Sequence, residues 1–452
     1  MLKVEIVKKY IIDEIRQRKI MEGQRLPGCR EIAKTLCVNK ITVNKAYKAL
    51  EEEHVIYCVP RGGYYVIKSC HENEPSLKTI DFQTVVPDSS LIPYQSFTHA
   101  INLSIEENKK KLFLYDPPIG FTELRESLRE RFTQTGIYAS SSQIIVTNGA
   151  QQGINLALKS IFGFEREGKL LVESPTYHAI QDMAKALNID CVTIRRDSAG
   201  IDLNELECIF QTERVKAFYI IPRFHNPTGY TLTENNKSKI ADLCGRYRIL
   251  MIEDDYLADL GTDKRCLPLH YYDTNQLTIY IRSFSKTFLP GIRLGAMVVP
   301  DTLNSLIIQQ KYLSDICTSG IVQGALNFFL TSGMYDRHIR KVNACYRQKL
   351  VKAKAILSHA DLPGLSFHVP KQGLFLWILL PNVISAELIA EKLVHENILV
   401  TQYHISEDGH QGIRLCIAGV TKQDLDALET VIEVIREESG IKQKGSKYVE
   451  ER

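Results

Sequence analysis

Ile281–Gly295 reads IRSFSKTFLPGIRLG, an aliphatic run that ends in Ser283, Ser285 and Lys286 and then carries Arg293. It is one of several such endings. Leu170–Glu173, Val215–Pro222, Ile249–Asp254 and Leu277–Ser283 are short, aliphatic and bounded by polar residues, with stretches of helical periodicity between them. That alternation predicts a mostly parallel sheet covered on both faces. Ligands of such sheets gather at strand carboxyl ends, and the unusual residues fall there. IEDDY (Ile252–Tyr256) brings Asp254, Asp255 and Tyr256; PRFHNPTG (Pro222–Gly229) brings Asn226; VESPTY (Val172–Tyr177) ends in Tyr177. VTNGAQQGINLAL (Val146–Leu158) sets Gly149, Ala150 and Gln151 at the start of a helix. Farther on, GLFLWILL (Gly373–Leu380) and IRLCIAG (Ile413–Gly419) read as strands of a smaller α/β lobe, about 335–440.

The other end of the chain is built differently. Val7, Ile11 and Ile15 recur at helical spacing, and RLPGCREIAKTLCV (Arg25–Val38) breaks at Pro27-Gly28 and restarts with Ile32 and Leu36 inward. A third helix follows Asn39, a plausible N-cap, with Val43, Ala46, Tyr47 and Leu50 inward and Lys40, Thr42, Asn44, Lys45 and Lys48 on the other face. Two short helices across a tight turn, the second with a basic polar face, form the helix-turn-helix pattern. VIYCVPRGGYYVI (Val55–Ile67) adds a hairpin with a basic tip. The first 70 residues hold 14 Lys+Arg against 8 Asp+Glu, a net of +6, whereas the whole chain is only +3. A basic head on a slightly acidic body suits a polyanionic partner. KSCHENEPSLK (Lys68–Lys78) lacks periodicity and reads as a linker, about a dozen residues that span at most about 40 Å.

Composition excludes other classes. The 11 cysteines are odd in number, scattered and without a CxxC pair, which fits reduced thiols better than a disulfide framework or a zinc module. Neither a signal peptide nor an apolar run of membrane-spanning length is present, so a cytoplasmic location is expected.

LPGCREIAKTLCVNKITVNKAYKALEEE…VPRGGYYV resembles the winged helix-turn-helix of GntR-type regulators, except that Gly28 and Cys29 stand where Ser or Glu is usual. The resemblance implies that Arg30, Lys40, Thr42, Asn44, Lys45, Arg61 and Gly62 approach double-stranded DNA. Cationic and hydroxyl groups meet phosphates, and Asn can read an adenine edge. From about Ile80 to Glu438 the motifs, in their order and spacing, resemble the fold-type I aminotransferases. That implies a mostly parallel seven-stranded sheet with a small C-terminal lobe, and pyridoxal phosphate as cofactor. Lys286 would form the internal Schiff base. Asp254, with Asp255 as the alternative, would keep the ring nitrogen protonated. Asn226 and Tyr256 would face the phenolate oxygen, and Tyr177 would stack on the ring. Gly149, Ala150 and Gln151, with Ser283, Ser285 and Arg293, would cradle the phosphate. Arg414 aligns with the arginine that grips an α-carboxylate, and Tyr115 in YDPPIG with the tyrosine that reaches the neighbouring subunit's phosphate, which implies a homodimer. The residues after Tyr177, His178 and Ala179, offer no arginine for a second carboxylate.

Head and body together resemble the MocR/GabR-type regulators, with segments 1–68 (winged helix), 69–79 (linker), 80–440 (aminotransferase-like) and 441–452 (polar tail). The expected function is a regulator that binds DNA and senses an amino compound, or pyridoxal phosphate itself. Two rival expectations are a working aminotransferase with an accessory head, and a repressor whose body is only a dimerisation scaffold. The lysine–aspartate–arginine set argues against the scaffold, and steady-state turnover separates sensor from enzyme.

Overall fold

The computed structural model describes residues 3–17, 19–21, 23–52, 55–59, 62–67, 79–163, 167–261, 263, 265–359, 365–381, 384–405 and 411–439. Contacts divide the chain into two compact units, Met1–Lys78 and Thr79–Arg452. Most of the expected linker and the whole polar tail lie outside the described residues.

In the first unit, α1 (Lys3–Arg16), α2 (Cys29–Thr35) and α3 (Lys40–Glu52) precede a hairpin of β1 (Ile56–Val59) and β2 (Gly63–Val66). Val7 and Ile11, Ile32, and Val43, Ala46, Tyr47 and Leu50 close one core with Leu26, Ile56 and Val66. Gly28 caps α2 without a side-chain bond, and the helix forms nonetheless. Asn39 Oδ1 accepts from Ile41 N at 2.9 Å, which satisfies an amide at the start of α3. Tyr47 Oη donates to Pro27 O at 2.8 Å and pins the turn before α2 against α3. Ile56 pairs with Val66 in the antiparallel wing, and Leu26 N and Gly23 N donate to Tyr64 O and Val66 O along its outer edge.

The second unit begins with β3 (Ile80–Asp81). Its large sheet takes β4 (Ile144–Thr147), β5 (Lys169–Ser174), β6 (Cys191–Arg195), β7 (Val215–Ile220), β8 (Leu250–Asp255), β9 (Thr278–Ser283) and β10 (Gly295–Val298) in the order β4-β10-β9-β8-β7-β5-β6. Strands β5 to β9 are parallel, and β10 runs antiparallel to both its neighbours. All six residues of β9 are buried, as in a strand covered on both faces, and its one charge, Arg282, is paired with Asp259. The small lobe holds β11 (Ser366–His368), β12 (Phe375–Leu380), β14 (Thr401–His404) and β15 (Gln411–Cys416) in the order β11-β12-β15-β14, while β13 (Ile398–Leu399) pairs in parallel with β3. The small lobe therefore also takes in the first residues of the body, which no local pattern announced.

One helix, Met334–Ser358, runs through the body's packing. Tyr335 and Ile339 enter the core on one side of the sheet, Val342 and Tyr346 the main core, and Leu350, Ala353 and Leu357 the small-lobe core. Beside its start, Asp259 accepts from Arg131 Nη2 at 2.9 Å and from Tyr335 Oη at 2.7 Å, and pairs with Arg282. Burial opposes that charge, but Arg282 and Arg131 outweigh it and hold the carboxyl down at about 2. Thr287 Oγ1 also reaches Asp259, at 3.4 Å, so the cluster anchors the loop that carries Lys286. Among the described residues no helix is long and apolar enough to cross a membrane.

Candidate functional site

The parallel strands deliver their carboxyl ends to a cavity of about 390 Å³. Lys286, Asp254, Tyr256, Asn226, Tyr177, Ala150, Gln151, Ser283, Ser285, Arg293 and Arg414 all line it. Gly149 adjoins it as N-cap of the helix Ala150–Phe162, with φ of 83° and an added Cβ only 3.0 Å from Arg293 Nη2. A side chain at that position would press on the guanidinium beside the open amides of the helix start. Ser283 Oγ accepts from Ser285 N at 3.2 Å, and Ser285 Oγ is buried without a partner. Helix start, two hydroxyls and a guanidinium together form an anion cradle.

Strand pleating separates the two aspartates. Asp255 turns away, paired with Arg223 and accepting from Tyr280 Oη at 2.7 Å. Asp254 faces the cavity. Its Oδ2 accepts from Tyr219 Oη at 2.7 Å, while Oδ1 is buried with no partner. Burial lifts this carboxyl to about 7, although the Tyr219 bond opposes the shift. A cationic ring nitrogen would meet the unpartnered oxygen and relieve that burial. Burial likewise lowers the Lys286 ammonium, with Arg293 and Arg414 adding to the effect, and this favours the free amine that attacks carbonyl groups.

Arg414 is buried at the cavity's small-lobe wall, its guanidinium 4.8 Å from the Phe375 ring centre. Nη1 donates to Asn226 Oδ1 at 3.1 Å and Tyr403 Oη at 3.3 Å; Nη2 donates to Gln83 O at 2.8 Å and Thr401 Oγ1 at 3.1 Å. Nε is buried and unpartnered. The Tyr256 hydroxyl differs from expectation: it donates to Phe224 O at 2.7 Å, so it meets a cofactor oxygen only by giving up that bond. Gln151 Nε2 reaches the Tyr177 hydroxyl at 3.3 Å. Tyr115 does not line the cavity; it is 84% exposed, in a run with Phe113 and Leu114 that is also open.

Sequence reasoning missed Tyr219 and Tyr403, which bond Asp254 and Arg414, and the cavity-lining Phe375, Gln83, Thr84, Val85 and Val86. Tyr219 left one signal, a hydroxyl inside the otherwise aliphatic strand VKAFYI. The unpartnered Asp254 and Ser285 oxygens, the cradle a Cβ would fill and the desolvated lysine all fit pyridoxal phosphate.

In the head, Arg30, Lys40, Asn44 and Lys45 are exposed, Thr42 is half-buried at the start of α3, and Gly62 closes the wing turn, with its N donating to Val59 O at 2.8 Å. Arg61 lies outside the described residues.

Residues 87–432 match the family of aminotransferases of class I and II, and residues 3–66 match the gntR family of bacterial regulatory proteins. The chain is 34% identical to the uncharacterized HTH-type transcriptional regulator YcxD of Bacillus subtilis strain 168, across 92% of this chain and 96% of that one. Among solved structures, a multiple substrate aminotransferase from Thermococcus profundus is similar at a TM-score of 0.75 and 24% identity, covering 81% of this chain and 93% of its own. The α-aminoadipate aminotransferase LysN of Thermus thermophilus, complexed with N-(5'-phosphopyridoxyl)-L-leucine, is similar at 0.73 and 23%, covering 80% and 93%.

Proposed function

The chain belongs to the class I and II aminotransferase family and, with its gntR-type head, is an HTH-type transcriptional regulator of the MocR-type architecture; from that premise we propose that the body holds pyridoxal phosphate on Lys286 and senses an amino compound with a single carboxylate. The observation that carries this is that Lys286, Asp254 and Arg414 line one cavity, with Asp254 and Arg414 buried and each left with one unpartnered polar atom.

When bound, the cofactor supplies an aldehyde that condenses with primary amines and a ring that draws electrons. The chain's residues do the rest. The helix start at Gly149–Gln151, Ser283, Ser285 and Arg293 bind the phosphate. Asp254 Oδ1 holds the ring-nitrogen proton, with Tyr219 fixing the carboxylate's orientation. Tyr177 would cover one ring face, and Asn226, with Tyr256 once it gives up Phe224 O, would serve the phenolate oxygen. Lys286 would hold the cofactor through the free amine that its burial favours. Arg414 would take a ligand's carboxylate. With Arg293 committed to phosphate, no second arginine lines the cavity among the described residues, and Val85, Val86, Ile221 and Phe375 offer apolar wall, so a neutral amino acid fits better than a dicarboxylate.

The active unit is a homodimer, in which a second copy covers the exposed Phe113–Tyr115 run and Tyr115 reaches its partner's phosphate. Arg30, Lys40, Thr42, Asn44, Lys45, Arg61 and Gly62 meet DNA, and paired heads read two half-sites. A cytoplasmic location goes with that role. Slow transamination is compatible with the same residues, and steady-state assay with amino-acid and keto-acid pairs measures it.

The test is an absorbance titration of the full chain with pyridoxal phosphate and then with amino acids, alongside Lys286→Ala. Wild type should turn yellow and change spectrum with its effector, and the variant should lose both the lysine-bound absorbance and the effector's influence on DNA binding. A colourless wild type, or an unchanged DNA response in the variant, overturns the proposal.

A further inference from the structure

The chain enters its body at the ligand wall. Ile80 N donates to Asn397 O at 2.8 Å and Phe82 N to Leu399 O at 2.9 Å, which sets β3 beside β13. Cys416 N donates to Phe82 O at 2.8 Å and Asp88 N to Ala418 O at 3.0 Å. Asp81 Oδ1 closes the next turn, accepting from Gln83 N at 2.7 Å and Thr84 N at 3.1 Å. Gln83 Nε2 donates to Val400 O at 2.7 Å. Apart from the Asp81 turn, these bonds fasten residues 80–88 to small-lobe backbone, and Gln83 to Val86 then line the cavity.

Arg414 connects this segment to ligand chemistry. A guanidinium has five N–H groups. Both on Nη1 go to Asn226 and Tyr403, and both on Nη2 go to Gln83 O and Thr401; only Nε is left, buried and without an acceptor. A carboxylate gripped by two N–H groups finds one free and must take the other from an existing partner. Nε and Nη2 form the side-on fork, and of the two Nη2 acceptors Gln83 lines the cavity while Thr401 does not.

We propose that a ligand carboxylate displaces Gln83 O from Arg414, and that residues 80–86 are the element that passes this event toward the head. The inference rests on the cavity being the pyridoxal-phosphate site described above. Residues 80–86 lie one residue beyond 68–78, the stretch that leads from the head. Loss of the Gln83 carbonyl bond loosens the segment at the point where the connection to the head is rooted. Val85 and Val86 make the same segment a contact surface for an apolar ligand side chain.

The experiment compares full-length protein bound to N-(5'-phosphopyridoxyl)-L-leucine with the same protein bound to pyridoxamine phosphate. Both compounds present the ring and phosphate, and only the first carries a carboxylate. Amide hydrogen exchange at Ile80 and Phe82 is expected to be about fivefold faster in the first state, the scale of one lost hydrogen bond. Affinity for a DNA duplex, selected by the protein from a random pool, is expected to differ between the two states. Asp81→Ala loosens the turn from outside the cavity lining and is expected to shrink both differences. Equal exchange in the two bound states overturns the displacement, and equal DNA affinities in the wild type overturn the passage to the head. Full wild-type differences in Asp81→Ala overturn the segment's part in both. If neither compound binds, the cofactor reading itself fails and takes this proposal with it.

Discussion

Arg414 Nη1 donates to Asn226 Oδ1 at 3.1 Å, a bond that joins β15 of the small lobe to the loop after β7 in the large one. Both side chains are buried, and both face the cavity. The guanidinium, lying over Phe375, spreads four hydrogen bonds among a side-chain amide, two hydroxyls and a backbone carbonyl, which a point charge cannot do.

Arg414→Lys keeps the charge and loses the fork. Affinity for N-(5'-phosphopyridoxyl)-L-leucine is expected to fall about tenfold to a hundredfold, the worth of one hydrogen bond to a charged group. Affinity for pyridoxamine phosphate should change little. Calorimetric titration with both compounds checks this, and an equal loss for the two would make Arg414 a structural residue.

Asp254 titrates in the folded chain at about 7, raised by burial against the pull of Tyr219, whereas in the unfolded chain it titrates at about 4. Between those values the folded chain holds a proton that the unfolded chain has released, so stability falls as pH rises from about 4 to about 7. Burial, with the Asp255 charge adding to it, also lifts Glu253 and contributes a slope of the same sign. Asp254→Asn should therefore flatten part of the slope in cofactor-free protein and gain stability over wild type above neutrality. Thermal unfolding across about pH 4.5–8 measures it; parallel curves for the two proteins would count against the buried carboxyl.

Asp259 carries the opposite sign. Its depressed value of about 2 means that its stabilisation is present above about pH 4 and is lost as pH falls through 2. Asp259→Asn leaves the buried Arg282 without a carboxylate while Arg131 keeps Asp336, and the expected cost is about 3–5 kcal/mol by denaturant unfolding. The variant should also take up pyridoxal phosphate more slowly, because the Lys286 loop loses its anchor at Thr287.

On the DNA side, Lys45→Ala is expected to weaken binding to all sequences alike and to reduce the salt slope by about 1. Asn44→Ala should instead relax the preference at one base position. Anisotropy titrations at several salt concentrations separate the two outcomes, and an unchanged slope in Lys45→Ala removes that lysine from the phosphate contacts.

Four strands of the large sheet are legible to within a residue or two, because a largely apolar run buried on both faces leaves few alternatives: Leu277–Ser283 is β9 at Thr278–Ser283, and Ile249–Asp254 is β8 at Leu250–Asp255, whereas β4, β6 and β10 are not among the strands read from the sequence. The same reading left Asp254 and Asp255 as alternatives, since only the pleat phase, fixed by the Tyr219, Arg223 and Tyr280 partners, tells them apart. Tyr256 was read as facing the cofactor, yet its hydroxyl serves Phe224 O, a partner invisible without the packing of β8 on the Phe224 loop. Gln83–Val86 had no motif at all. Their place in the cavity depends on pairing with residues at the far end of the chain, and local sequence carries no trace of such a pairing.

The bond from Gln83 to Val400 spans 317 residues, whereas every described bond of the head closes within its own first 67. Synthesis proceeds from the N-terminus, so every partner in the head's described bonds is made before the body begins, while β3 has no β13 to pair with until nearly the whole chain is made. The order of synthesis thus favours a head that closes its core ahead of the body.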